Sequence, residues 1–330
     1  MRFGPVPVDV AEGAILAHSL RLSSGVLKKG RVLDAADLAR IKADGVAEIT
    51  VAQLAPTDIE ENTAAARLAA AIAPSPKAAC LRLADPFTGR VNLYAQSAGI
   101  VMIDTDAVHA LNKVNPLITL ATPRPFARVA AGALVGTVKI ISYAVTEVDL
   151  NRACAAAKGA VRVQPATLQN ASLILTELPG AVDSAKGEAA VASRLDALGV
   201  PLIETRRVPH QSGAVAQAVK DAKGALVLIQ TASATSDPHD VAPEGLVQAG
   251  GRLIHFGMPV DPGNLLFLGA HGDRPVIGLP GCARSPALNG ADWVMERILC
   301  GVPVTSDDIA AMGVGGLLKE IKSRPQPREG

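Results

Sequence analysis

The sequence predicts an α/β protein whose C-terminal part is a doubly wound, mostly parallel sheet with helices on both faces, preceded by smaller α+β and β-rich domains. Short apolar runs at 173–175, 225–229, 253–256 and 276–279 read as strands. They alternate with helical stripes, Val191, Leu195 and Leu198 in one and Val215, Val219 and Ala222 in another, stopped by Gly199 and Gly224. Polar turns follow the strands at Thr176 and Glu177, at 231–240, at 256–264 and at 279–285. In an open α/β sheet such turns gather outside the carboxyl ends of the strands, where ligands bind.

Five segments follow one another along the chain. Residues 1–55 form a small unit in which Asp34 caps a helix over 35–43, Gly45 ends it and 46–51 is the next strand. Residues 56–77 hold an Ala-rich helix, 63–72, and a linker broken by Pro74 and Pro76. Residues 78–150 are strand-rich: Gly99 introduces the apolar run 100–103, and Asp104 or Thr105 caps a helix through Leu111. Within them, the stretch 85–90 puts Thr88, Gly89 and Arg90 on a loop for which a plain β-turn is sufficient explanation. A helix over 149–158 leads into the α/β domain, 151–302, in which 265–268 is hairpin-like and a final helix spans about 285–299. Residues 303–330 are an extension whose tail, 323–330, is expected to be disordered.

Composition narrows the function classes. Of 330 residues 49% are hydrophobic but only 2% aromatic, so the cores are aliphatic and platforms for stacking nucleic-acid bases are scarce. A formal net charge of +1, from 32 basic and 31 acidic side chains, supplies no long-range field for a nucleic-acid backbone; any anion is held locally. Arg2, Gly4, Pro5 and Pro7 interrupt the amino terminus where a secretory signal would be apolar. No uncharged apolar run approaches the roughly 20 residues that span a bilayer. A cytoplasmic protein with neither nucleic-acid nor membrane partners is expected. Cys80, Cys154, Cys282 and Cys300 lie far apart, as reduced thiols and not as a zinc site.

The turns of the last domain carry the candidate chemistry. Thr231, Ser233, Thr235 and Ser236 bring hydroxyls to a strand-to-helix loop whose helix offers unpaired amides to an anion. Asp237 and Asp240 follow, and either carboxylate suits Mg²⁺ or a ligand amine, Asp240 being the candidate metal ligand; Asp240 suits equally a helix cap. Pro280, Gly281, Cys282, Arg284 and Ser285 join another strand to a helix, with Gly281 admitting a ligand to the backbone and Arg284 and Ser285 meeting negative charge. Pro262 and Gly263 lie on a third loop that either shapes the same pocket or is an ordinary turn. His239, His255 and His271 have no zinc spacing, and no Ser-His-Asp order is visible. These residue types suit a phosphate-bearing ligand better than a hydrolase mechanism.

The segment from Thr231 to Glu244, which contains Asp240, Val241, Ala242, Pro243 and Glu244, resembles the molybdopterin-binding domain of molybdopterin adenylyltransferases and molybdenum insertases. That family runs a strand into a Thr-Gly-Gly-Thr-Gly loop ending in Arg-Asp-Val-Thr-Pro-Glu. The stretch Leu279, Pro280, Gly281, Cys282, Ala283, Arg284 and Ser285 resembles its Leu-Pro-Gly-Asn-Pro-x-Ser turn, and Thr176 with Glu177 a shortened Thr-Gly-Asp-Glu turn. The likeness covers roughly residues 170–300. Upstream, Ala11, Gly13, Leu16 and Ala17, with Lys29 to Leu33, resemble an accessory region of the insertases, which implies a multi-domain member that pairs as a homodimer through its middle region.

The resemblance implies molybdopterin or its nucleotide form as ligand, Mg²⁺ as companion ion, and a place in molybdenum cofactor biosynthesis. It implies that Asp240 and Asp237 serve nucleotide transfer or metal insertion. Thr176, Glu177, Thr231, Ser233, Thr235, Ser236, Pro262, Gly263, Pro280, Gly281, Cys282, Arg284 and Ser285 would line the ligand. The departures point elsewhere. The family's paired glycines fall on Ala232 and Ser233, the last glycine of the loop on Thr235, an asparagine on Cys282, a proline on Ala283 and a lysine on Asn264. Each lost glycine adds a Cβ and narrows φ. A carrier or scaffold that hands the cofactor to a nucleotidyltransferase or molybdoenzyme is the alternative expectation.

Overall fold

The computed structural model describes residues 1–180 and 185–318. The tail 323–330 therefore lies outside the described residues. The chain divides into two compact units, one of Met1–Gln96 with Val101–Val163, the other of Ser97–Ile100 with Gln164–Gly330.

In the first unit, Arg2–Pro7 and Ile15–Leu16 flank Glu48–Gln53 in an antiparallel sheet. Beside it stands the helix Ala35–Ala43, where Asp34 accepts from Asp37 N and Asp37 returns the bond in a capping box. Leu16, Leu27, Leu33, Ile41 and Val51 close a small core there. A second core, built on Leu68, Ile72, Leu81, Leu93, Leu111 and Val138, joins the helices Glu61–Ile72 and Thr105–Asn112 to a four-stranded antiparallel sheet. Asp104 is the cap of the second helix. Phe87 and Arg90 exchange backbone bonds around Thr88 (φ 48°) and Gly89 (φ 69°), a tight two-residue hairpin turn. Ala84, Asp85, Phe87, Thr88, Arg90 and Asn92 line a cavity of about 390 Å³ beside this turn.

The second unit carries a six-stranded sheet, and its elements are numbered within it. They are β1 (Ala171–Glu177), α1 (Ala185–Asp196), β2 (Leu202–Pro209), α2 (Ser212–Asp221), β3 (Leu226–Gln230), α3 (Val241–Gln248), β4 (Arg252–Phe256), β5 (Phe267–His271), β6 (Arg274–Leu279), α4 (Gly290–Leu299) and α5 (Ser306–Ala311). The spatial order is β2-β1-β3-β6-β5-β4. The first four strands are parallel, whereas β5 runs antiparallel to both β6 and β4. The sheet is therefore mixed but mostly parallel: β4, the 253–256 run, points the same way as the first four strands and pairs with β5, the one reversed strand, which overlaps the hairpin-like run expected at 265–268. Ile174, Val227, Ile229 and Val276 pack with Val215, Val219 and Leu246 of α2 and α3 on one face. Alternation sends Leu173, Leu175, Leu228 and Ile277, all buried, to the other face. The helix expected over about 285–299, α4, begins at Gly290 and not near Ser285, because Asn289 and Asp292 form its capping box and Gly281–Arg284 is a separate 3-10 turn; a further helix, α5, follows it. No helix among the described residues is long and apolar enough to cross a membrane.

Candidate functional site

Four parallel strands end on one edge of this sheet. Glu177 stands opposite Pro209, Leu175 opposite Gln230, and Gln230 opposite Leu279. The loops that follow are tied to each other directly. Ala232 N donates to Thr176 Oγ1 at 2.8 Å, and Arg284 Nη2 donates to the carbonyl of Thr231. The carboxyl end of β1 and the turns after β3 and β6 thus meet at one place, although they are far apart in the chain.

The hydroxyls of the 231–240 loop are not equally free. Thr231 Oγ1 donates its one proton to Ser233 O at 2.6 Å, so in the 3.1 Å contact between Thr231 and Thr235 the donor is Thr235. Both threonines are buried, 6% and 5% exposed, and both protons are spent inside the loop. The Ser236 hydroxyl turns to Ala234 O. Ser233, exposed and 2.9 Å from His210 Nε2, is left as the hydroxyl able to meet a ligand. Asp240 caps α3 by accepting from Val241 N at 2.7 Å, and its other oxygen takes Ser236 N. Asp237 accepts from His239 N. The two carboxylates shape the loop first, and only their remaining lone pairs are open to an ion. No group of three or more His, Cys, Asp or Glu side chains able to hold a metal occurs among the described residues.

A buried arginine builds the turn after β6. Arg194 of α1, 8% exposed, pairs with Asp292 of α4 and donates to the carbonyls of Ala190, Ala283, Ser285 and Ala287. Arg194 was not among the expected site residues, yet a signal existed. It stands in the apolar stripe of Val191, Leu195 and Leu198 at a position that faces the core. Gly281 borders open space, and Cys282 is exposed with Asn289 Nδ2 3.0 Å from its sulfur.

Other expected residues lie further out. Pro262 O accepts from Gly290 N at 2.9 Å, and Gly263 packs on the same residue, so this loop seats the first turn of α4. Its strand, β4, is three places from β3 in the sheet, about 14 Å at ordinary strand spacing. Glu177 pairs with Arg207 of β2 at 3.2 Å. Two further groups escaped the sequence reading. His210 follows β2 and bonds Thr176 and Ser233. Gln230, 1% exposed at the end of β3, has no partner for either its amide nitrogen or its oxygen. It sits against Gly187 of α1, where an added Cβ would collide with its Oε1.

The cysteines provide a simple check of this packing. Burial pushes the Cys300 thiol up to about 11, so at pH 8 only roughly one in a thousand of these thiols is ionised. A maleimide added to the folded chain at pH 8 will modify Cys282 and spare Cys300, as read by peptide mass spectrometry. Equal labelling would contradict the burial of α4.

Residues 5–53 match a family described as Domain of unknown function (DUF8806). No curated protein matches the chain. Among solved structures, the molybdopterin biosynthesis MoeA protein from Pyrococcus horikosii aligns with 93% of this chain and 75% of its own at 12% identity and a TM-score of 0.30. A molybdenum cofactor biosynthesis protein from Pyrococcus furiosus aligns with 92% of this chain and 66% of its own, at 14% identity and a TM-score of 0.26. A CinA protein of unknown function from Thermoplasma acidophilum covers 36% of this chain and 90% of its own, at 16% identity and a TM-score of 0.29. Likeness at this level leaves function to be argued from the residues.

Proposed function

We propose that the second unit binds molybdopterin or its nucleotide form at the carboxyl edge of its sheet, as a participant in molybdenum cofactor biosynthesis. The observation that carries this reading is the joining of the end of β1 to the loops after β3 and β6 at Thr176–Ala232 and Thr231–Arg284, because these are the segments whose sequences resemble that family. In this reading Ser233 donates to a phosphate oxygen, Gly281 leaves the backbone accessible and the Arg284 charge offsets the anion. Mg²⁺ would arrive with the phosphates, since Asp237 and Asp240 supply at most a partial shell.

A carrier role is favoured over nucleotide transfer or metal insertion by a specific observation. Asp240, Asp237, Thr231 and Thr235 are already engaged within the loop, and Asn264 stands where the resembling family has lysine. The natural partners are then a nucleotidyltransferase or a molybdoenzyme that receives the cofactor, with the homodimer of the resembling family as the proposed assembly.

Calorimetric titration with molybdopterin and with its adenylated and cytidylated forms tests the reading. Micromolar affinity without pyrophosphate release from ATP or CTP in the presence of Mg²⁺ is the expected carrier result. Steady pyrophosphate release would reinstate catalysis, and a dissociation constant no better than about 1 mM, only about −4 kcal/mol, would remove the proposal altogether.

A further inference from the structure

His210 bridges two hydroxyls at the edge of the sheet. Its Nδ1 lies 2.8 Å from Thr176 Oγ1 and its Nε2 2.9 Å from Ser233 Oγ. The spacing is that of a nucleophile, a base and an orienting group. Which way the protons run decides whether Ser233 is activated or merely aimed.

Thr176 settles the direction. Its oxygen already accepts the Ala232 amide at 2.8 Å, and the residue is only 5% exposed. If Nδ1 carried the ring proton, Thr176 would accept twice and its own buried hydroxyl proton would be left unmet. With Nδ1 bare, Thr176 donates to it and every group is satisfied. The cost of an unmet buried hydroxyl favours this second tautomer by roughly tenfold or more. Nε2–H then donates to Ser233 Oγ, which turns the serine's proton outward.

We propose that Thr176 and His210 are positioning residues that aim the Ser233 hydroxyl proton at an anionic ligand oxygen, so that Ser233 is a donor and not a nucleophile. The inference rests on the reading of this edge as the ligand site. It goes beyond that reading by assigning the order of the protons and the role of a histidine that the sequence motifs do not include.

Nitrogen-15 NMR of the histidine-labelled chain tests the relay without any ligand. The expected spectrum has a bare Nδ1 and a protonated Nε2 for His210. Thr176→Val should shift the ring toward a tautomer mixture, and Thr176→Ser should restore it. In titrations with molybdopterin, Ser233→Ala should weaken binding roughly tenfold or more. The double variant with His210→Ala should bind no more weakly than Ser233→Ala alone, because both act through one hydroxyl. A protonated Nδ1 with intact molybdopterin binding overturns this inference alone. So does a covalent fluorophosphonate adduct on Ser233. The expected tautomer with no binding by the unmodified chain overturns the functional reading, and the donor role falls with it.

Discussion

Arg194→Leu is expected to destabilise the second unit by about 3–5 kcal/mol, because it strips the partner from a buried carboxylate. That is a large part of the ~5–15 kcal/mol by which domains of this kind are stable. Arg194 and Asp292 are both under a tenth exposed, and the guanidinium also takes four backbone carbonyls, three of them in the 283–287 stretch after β6. Removing it leaves the carbonyls of Ala283, Ser285 and Ala287 and the Asp292 carboxylate without that donor, although Asp292 keeps its bond from Asn289 N. Urea denaturation of the purified chain measures the effect. Arg194→Lys should recover only part of it, since an ammonium cannot reproduce the planar fork that reaches several acceptors at once. An unchanged midpoint in Arg194→Leu would mean that the turn after β6 is held by something else.

Gln230→Leu is expected to act in the opposite direction. A glutamine amide buried with neither atom paired costs about 1–3 kcal/mol, and a leucine of similar size removes that cost. The variant should therefore melt higher than the parent chain. Thermal melts of the two purified chains measure the difference. A lower melting temperature without ligand would show that the amide has a partner in solution.

Much of the fold was legible because its signals are local. Asp34 and Asp104 cap the helices for which they were suited. The apolar core of β1 and the run that became β3 are strands, since neither is long enough for a buried helix. Direction was not legible in the same way. A buried antiparallel strand such as β5 and a buried parallel one such as β6 are both continuous apolar runs, so composition does not separate them, and the hairpin-like 265–268 was the one hint that β5 reverses. The strand β2 went unseen for a different reason. It is an edge strand, and Glu204, Arg206 and Arg207 interrupt its apolar pattern. Such charges protect an edge from further pairing, and here they hid the strand that delivers His210.

The candidate site was legible as motifs but not as a hydrogen-bond order. Sequence marks Thr231, Ser233 and Thr235 as equal hydroxyls, whereas the loop uses two of them to hold its own shape and leaves Ser233. Gln230 and Arg194 have polar side chains in apolar surroundings, and only the packing of α1 against β3 and the turn after β6 gives them a meaning.

Hydrogen exchange with mass spectrometry, with and without molybdopterin, tests most directly whether the end of β1 and the two loops joined to it are the ligand site. Slower exchange confined to the peptides around Thr176, Thr231–Asp240 and Gly281–Ser285 is the predicted result. Unchanged exchange there, or protection appearing instead around the cavity lined by Asp85, Arg90 and Asn92, would contradict it.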